Sequence, residues 1–249
     1  MSEQNEAQLK AQYAEIAVLA GQLAHEIKNP LSTISMNMEL LKEDLAEIQE
    51  TPQTRRAQER IDRVRRECER LQGLLNDFLS FARAKAGRME AVDMNRLLEE
   101  LLQFFEPQAE SASVEVIQLL DPFVPAVLMD REQMRASVLN LLLNAIQAMP
   151  EGGRISVRTR RVGQNLVLDL IDTGSGMDEK TADQIFDPFF STKRGGSGLG
   201  LPTTRKIIET HGGTIRVQSE VGRGTQFTIE LPPAPEGPKL LEQRKESGA

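Results

Sequence analysis

LVLDLIDTGSGM, running from Leu166 to Met177, is the stretch that decides the architecture of this chain. Its first seven residues are almost wholly apolar, as in a buried strand. Asp172 closes that strand, and Gly174 and Gly176 follow directly. A carboxylate at a strand end can accept from the exocyclic amine of a base such as adenine, and glycines let backbone approach the ring closely. Alone, Asp-x-Gly is an ordinary turn signature. The surroundings must decide between the two.

Upstream, RISVRTRR is joined to this strand through Gly163–Gln164–Asn165, which reads as a hairpin. Downstream, GTIRVQSE and TQFTIELP form a second pair, joined through Gly222 and Gly224. Further upstream lie a helical LLEELLQFFE and an alternating VEVIQLL. Asp130 then opens a helix, with Gln133 as capping-box partner. This helix is expected to reach Met149 and stop at Pro150 and Gly152–Gly153. Strands and helices in this order predict an α/β sandwich, a mixed sheet covered by helices on one face.

The N-terminal part is different. Ile16, Leu19, Leu23, Ile27, Leu31, Ile34, Met38, Leu41, Leu45 and Ile48 recur at steps of three and four, so residues 6–50 read as one amphipathic helix. TPQT, Thr51 to Thr54, breaks it, with Pro52 suited to a first helical turn and either threonine suited to the N-cap. A second stripe runs from Ile61 through Val64, Cys68, Leu71, Leu74, Leu75, Phe78 and Leu79. The short link predicts an antiparallel hairpin. Two such helices make a thin core, so the hairpin is expected to dimerise into a four-helix bundle; packing on the second domain is the alternative. The fold class is therefore α and α+β. The expected domains are 1–86 (helical hairpin), 87–91 (linker around Gly87), 92–232 (α/β sandwich) and 233–249 (disordered tail).

Composition narrows the function. A net charge of -7 provides no basic field for nucleic acid. No apolar run of about 20 residues is present, which predicts no transmembrane helix. The single cysteine, Cys68, lies between Val64 and Leu71 at helical spacing and is read as packing. A reducing cytoplasm suits such a chain.

Two clusters carry chemistry. On the first helix, His25, Glu26, Asn29 and Pro30 stand together in LAHEIKNPL. Imidazole is nucleophilic near neutral pH, and Glu26 is placed to take its proton. Asn29 lies one turn along the same face, where its amide could hold a water. Pro30 removes a helix hydrogen bond and predicts a local kink. By itself His-Glu is equally a solvated surface pair.

The second cluster surrounds Asp172. Asn140 and Asn144 share a helix face, and an amide oxygen suits Mg²⁺. Gly195, Gly196, Gly198 and Gly200 precede a helix, so backbone N–H groups and a positive helix end make an anion site. Lys193 and Arg194 add charge there, and the glycines predict a lid over about Asp187 to Leu199. Phe186, Phe189 and Phe190 are expected to anchor its base. His211, closing a helix before Gly212–Gly213, is expected to cap that helix as a cation.

HEIKNP resembles the H-box of the sensor histidine kinases of two-component systems. NLLLNA, DTGSGM, DPFFSTK and GGSGLGL, in this order, resemble the N, G1, F and G2 boxes of their Bergerat-type ATP-binding domain. The similarity covers roughly residues 15–232, and the short STKRGGSGLGL lid looks most like the nitrogen-regulator branch. It implies His25 as phospho-acceptor, Glu26 as acid/base residue and Asn29 in dephosphorylation of a partner response regulator. It also implies ATP and Mg²⁺ as cofactors, with Mg²⁺ at Asn144 and adenine at Asp172. The nucleotide positions implied with them are Asn140, Gly174, Gly176, Phe189, Thr192, Lys193, Arg194, Gly196, Gly198, Leu199, Gly200 and Thr225. A homodimer and a cognate receiver domain are the expected partners; either the chain is a fragment or it takes its signal from a separate upstream sensor protein. A serine kinase or hydrolase on the same ATP-binding fold would explain the nucleotide boxes but leave HEIKNP unexplained. A dimeric adaptor, set by nucleotide, is the non-enzyme alternative.

Overall fold

The computed structural model describes residues 27–48, 51–83, 87–193 and 196–235. Expectations that fall on residues 1–26 and beyond 235 lie outside these. The chain divides into two compact units, one of residues 1–85 with 177–210, the other of 86–176 with 211–249.

In the first unit, helix α1 (27–46) and helix α2 (Pro52–Arg83) form an antiparallel hairpin. The two-helix register is marked by Lys42 on Asp62 at 3.1 Å and Arg65 on Glu39 at 2.5 Å. Thr51 is the residue that caps α2: its hydroxyl accepts from the Thr54 N–H at 3.1 Å, and its own N–H donates to the Thr54 hydroxyl at 2.7 Å. Leu31, Ile61 and Cys68 are buried, so the cysteine packs as expected. Ile27, Ile34 and Leu41 of α1 and Ile48 just beyond its end recur every seven residues and are exposed, as are Val64 and Leu71 on α2.

The second unit begins with β1 (Glu90–Val92), antiparallel to β3 (Val127–Met129). Glu90 and Ala91, expected in a linker, are thus strand residues. Their partner lies some 38 positions away, beyond the reach of any local pattern. Between them come α3 (Met94–Ser111) and β2 (Val114–Leu120), and after them α4 (Arg131–Gln147). β4 (Gly153–Val162) and β5 (Asn165–Asp172) follow, then α5 (Glu179–Gln184) and α6 (Gly200–Thr210) of the first unit, then β6 (Thr214–Glu220) and β7 (Gly224–Leu231). The sheet has the order β2-β4-β5-β7-β6; β2 lies parallel to β4, and all other pairs are antiparallel.

Both hairpins form. Val162 pairs with Asn165 around a turn of Gly163 and Gln164, with Gly163 at φ 61°, a left-handed conformation that glycine adopts freely. Asn165, read as a turn residue, joins the strand. The strand period sorts the sheet into two faces. Ile155, Val157, Thr159, Leu166, Leu168, Leu170, Phe227, Ile229 and Leu231 occupy one buried face. α3 packs on β2, α4 on β5, and the two helices on each other, which provides the cover. The other face is polar. There Asp169, fully buried, takes Arg158 at 2.9 Å and Arg160 at 3.1 Å on Oδ2, and Thr228 at 2.8 Å and Gln226 at 3.2 Å on Oδ1. Burial alone would raise its carboxyl pKa; the Thr228 hydroxyl and the two guanidiniums outweigh it and hold the group below the usual range. Beyond β7 the chain is still tied down, since the Ala234 N–H donates to the Ala126 carbonyl at 2.8 Å, so the tail expected from 233 is anchored at its start.

Candidate functional site

Asp172 is the last residue of β5 and pairs across the sheet with Thr225 of β7. The strand alternation puts its carboxyl on the helix-covered face, where it is buried. The Gly174 N–H donates to Oδ1 at 2.9 Å and the Thr225 N–H at 3.2 Å. Both donors converge on one oxygen. Burial pushes the Asp172 pKa above the ordinary carboxylate value, with the two N–H groups opposing. The Thr225 hydroxyl lies 2.9 Å from that of Ser219, a neighbour that carries no motif and that sequence reading missed.

The segment after Asp172 is pinned at every step. The Thr173 N–H donates to Arg154 O at 3.1 Å, the Ser175 N–H to Ala148 O at 3.0 Å, and Ser175 O accepts from Gly222 N–H at 2.7 Å. A side chain at Gly176 would place its Cβ 2.0 Å from Glu220 O, and one at Gly174 would lie 2.8 Å from Ala148. The two glycines are therefore demanded by close approach to Glu220 and Ala148 of the chain itself, a cause the sequence reading did not identify. Ala148 follows α4, and its N–H returns to the Asn144 carbonyl at 3.1 Å. The loop after Asp172 thus docks against the end of α4 that carries Asn144. Asn144 Nδ2 in turn reaches Asn140 Oδ1 at 3.5 Å, with both residues half-buried.

Gly224 is the tightest position. It sits at φ 99°, and a Cβ there would stand 2.0 Å from Asp172 O. Gly224→Ala should cost about 2 kcal/mol or more, from both left-handed strain and forced separation of β5 from β7. Gly222→Ala, at φ 78° with nothing within 4 Å, should cost only the strain, about 1 kcal/mol. Urea unfolding of the two variants tests the difference; equal midpoints would contradict it.

Other site positions belong to the first unit. The Phe189 N–H donates to Gly198 O at 3.0 Å, and a Cβ at Gly198 would meet Phe189 C at 2.5 Å. Phe189 and the glycine loop are thus folded against each other. Gly196 N–H closes on Lys193 O at 3.3 Å, while Thr192 and Lys193 are exposed. The Thr203 N–H and hydroxyl both return to Leu199 O, so buried Leu199 starts α6 just before Gly200. Phe189 does not anchor the base of this segment through its ring, which is 70% exposed. Its backbone lies at φ 68°, an uncommon conformation for an aromatic residue. Phe186 serves instead, with Arg205 5.4 Å over its ring.

His211 differs from expectation too. It is 4% exposed, and its Nε2 accepts the Asp130 N–H at 2.8 Å. It therefore closes the start of α4, not the end of α6, and does so as an acceptor. Gln133 accordingly turns its amide to the Asp130 carboxylate at 3.2 Å rather than to that N–H. Asn29 lies on α1, exposed, and its carbonyl accepts from the Thr33 hydroxyl at 3.1 Å. His25, Glu26 and Arg194 lie outside the described residues.

Two family models match the chain. The family of histidine kinase-, DNA gyrase B- and HSP90-like ATPases matches residues 129–235, and the His Kinase A (phospho-acceptor) domain matches residues 17–87. The catalytic domain of histidine kinase ThkA is 30% identical, covering 59% of this chain and 96% of that one, with a TM-score of 0.54. The chain belongs to the histidine kinase family. Among other family members, full-length ShkA in complex with AMPPNP is 26% identical over 86% of this chain, with a TM-score of 0.70 and 45% of ShkA covered. The sensor histidine kinase ZraS of Escherichia coli K12 is 33% identical over 92% of this chain and 48% of its own length. The chain thus spans about half the length of such relatives. Its fold is that of the family, a helical hairpin followed by an α/β ATPase domain. Among the described residues, no helix is long and apolar enough to cross a membrane.

Proposed function

We propose that this chain is an ATP-dependent protein histidine kinase that phosphorylates His25 and passes the phosphoryl group to an aspartate on a response regulator. What carries the nucleotide half of the reading is the Asp172 carboxylate, fixed at Oδ1 by two backbone N–H groups. Oδ2 is then the oxygen for an adenine amine, and the pinned glycines leave room for the ring. Gly198 and Gly200 offer backbone N–H groups to the phosphates, and Gly196 does so by giving up its long bond to the Lys193 carbonyl, with Thr192, Lys193 and Arg194 beside them and Phe189 and Leu199 shaping the segment. Thr225 sits at the adenine end through its bond to Asp172.

The Asn140–Asn144 pair fits a hard cation, because the two amides orient each other and supply neutral oxygen. Asn144 would hold Mg²⁺, which when bound neutralises charge on the phosphates. Hydrolysing members of this ATPase superfamily carry a glutamate where this chain has Asn140. An amide cannot take a proton from water, so the γ-phosphate is kept for the imidazole. Glu26 takes the proton from His25, and Asn29 holds a water for dephosphorylating the regulator. Domains of 1–86 and 92–232 separate these two tasks, and a cytoplasmic setting with a separate sensor protein suits both.

The exposed heptad of Ile27, Ile34, Leu41 and Ile48 supports a homodimer in which two hairpins close one bundle. Leu41→Glu should weaken self-association by more than about tenfold, because two copies of the charge would enter the seam. Sedimentation equilibrium reads this directly; a monomeric parent protein would remove the four-helix bundle from the proposal.

Incubation with γ-labelled ATP and Mg²⁺ tests the activity. The expected product is label that is labile in acid and stable in alkali. Acid-stable label would point to a hydroxyl acceptor and a serine-kinase reading. Binding of ATP without any label would favour a nucleotide-set adaptor.

A further inference from the structure

Asp77 and Phe81 stand four residues apart, on one face of α2. Ser197, within the glycine loop, donates its hydroxyl to Asp77 Oδ2 at 2.6 Å. Nine residues on, Lys206 of α6 donates to the Phe81 carbonyl at 2.9 Å and holds its ammonium 4.8 Å over the Phe81 ring. That carbonyl lies in the last turn of α2, where the helix dipole favours a cation. α2 and α6 pack along this face. The loop and the helix that follows it are therefore gripped at two points by complementary chemistry.

Ser197 sits between Gly196 and Gly198, in the loop proposed above to hold the phosphates. Its hydroxyl also accepts the Leu199 N–H at 3.2 Å, so its position sets the loop's curvature. A carboxylate thus stands one hydrogen bond from a loop that must take a polyanion. The two negative groups oppose each other, and the grip fixes the loop in one conformation.

We propose that the Asp77–Phe81 face of α2 is a clasp on the glycine loop that competes with the phosphates of ATP. This rests on the glycine loop being the phosphate site. By linkage the effect is reciprocal: whatever moves α2 off the loop tightens ATP binding, and ATP frees α2 by the same factor. Asp77 and Ser197 act here as positioning residues that set nucleotide affinity from the helical hairpin.

The test is a double-mutant cycle in the full chain, read by calorimetric titration with Mg²⁺-ATP and, separately, with adenosine. Asp77→Asn and Ser197→Ala should each bind ATP about fivefold tighter, and the double variant no tighter than either single one. Adenosine, which has no phosphate, should bind all four proteins alike. Additive effects, an unchanged ATP affinity in both single variants, or equal tightening for adenosine would each overturn the clasp. A parent protein that binds adenosine but gains nothing from phosphates would remove the loop from the phosphate site, and the clasp with it. A parent protein that binds neither ligand would instead overturn the nucleotide reading itself.

Discussion

A His25→Gln chain should take no label from γ-labelled ATP while binding the nucleotide as well as the parent does. The chain has two histidines. His211 is buried, and its Nε2 is committed to the Asp130 N–H, one of the bonds that starts α4. A phosphoryl group there would need that bond broken and a dianion buried, which costs several kcal/mol. Of the two imidazoles, His25 is therefore the one expected to take the phosphoryl group. The expected loss is complete, not partial, because the remaining histidine is buried and committed. Glutamine keeps the polarity of the side chain and has no imidazole to accept the phosphoryl group. Acid-labile label surviving in the variant, measured against the parent under the same conditions, would move the acceptor elsewhere.

Asp172→Asn should bind ATP on the order of 30- to 100-fold more weakly and yet be no less stable. The asparagine oxygen can still accept from Gly174 and Thr225. Its nitrogen then stands where the second carboxylate oxygen was, donor against the adenine amine. Stability moves the other way. Burial raises the Asp172 pKa in the folded state, so the folded chain binds this proton more tightly than the unfolded one. The ionised group therefore costs stability as pH rises from the unfolded pKa through the folded one. The neutral amide escapes that cost. For the parent chain, ATP affinity should fall as pH is lowered through the raised pKa, above the range of an ordinary aspartate. Titrations from pH 8 to pH 5, with denaturation midpoints beside them, read both effects. Unchanged affinity in Asp172→Asn would remove Asp172 from the adenine site.

Features with local causes were legible in the sequence. Thr51 and Pro52 start α2, Asp130 and Gln133 start α4, and Gly163 and Gly222 turn their hairpins, each through contacts within a few residues. Gly174 and Gly176 could be marked as glycines of close approach, although what approaches them is Ala148 and Glu220 of the chain itself. What the sequence did not disclose was pairing over distance. Nothing in ETHGG indicates that His211 would meet an N–H 81 positions away, and the dipole argument pointed to the wrong helix end. Asp169 reads as one polar residue in an apolar strand; its partners come from β4 and β7, so only the register shows why a full charge is tolerated there. Phe189 has the composition of core, yet the left-handed backbone that joins it to Gly198 leaves its ring in solvent.

β5 ends at Asp172, and the strand beside it, β7, begins only at Gly224. Everything from the second glycine of DTGSGM to the start of β6 is an excursion whose ends the sheet already holds. Closing a loop costs entropy that grows only with the logarithm of its length, by about 0.6 kcal/mol per doubling. The 177–210 segment can therefore lengthen or shorten by insertion at little thermodynamic penalty to the strands that carry Asp172 and Thr225. The architecture separates two kinds of tolerance: the edge that carries Asp172 and Thr225 is locked by backbone geometry, while the segment between β5 and β6 can change in length without the sheet being rebuilt.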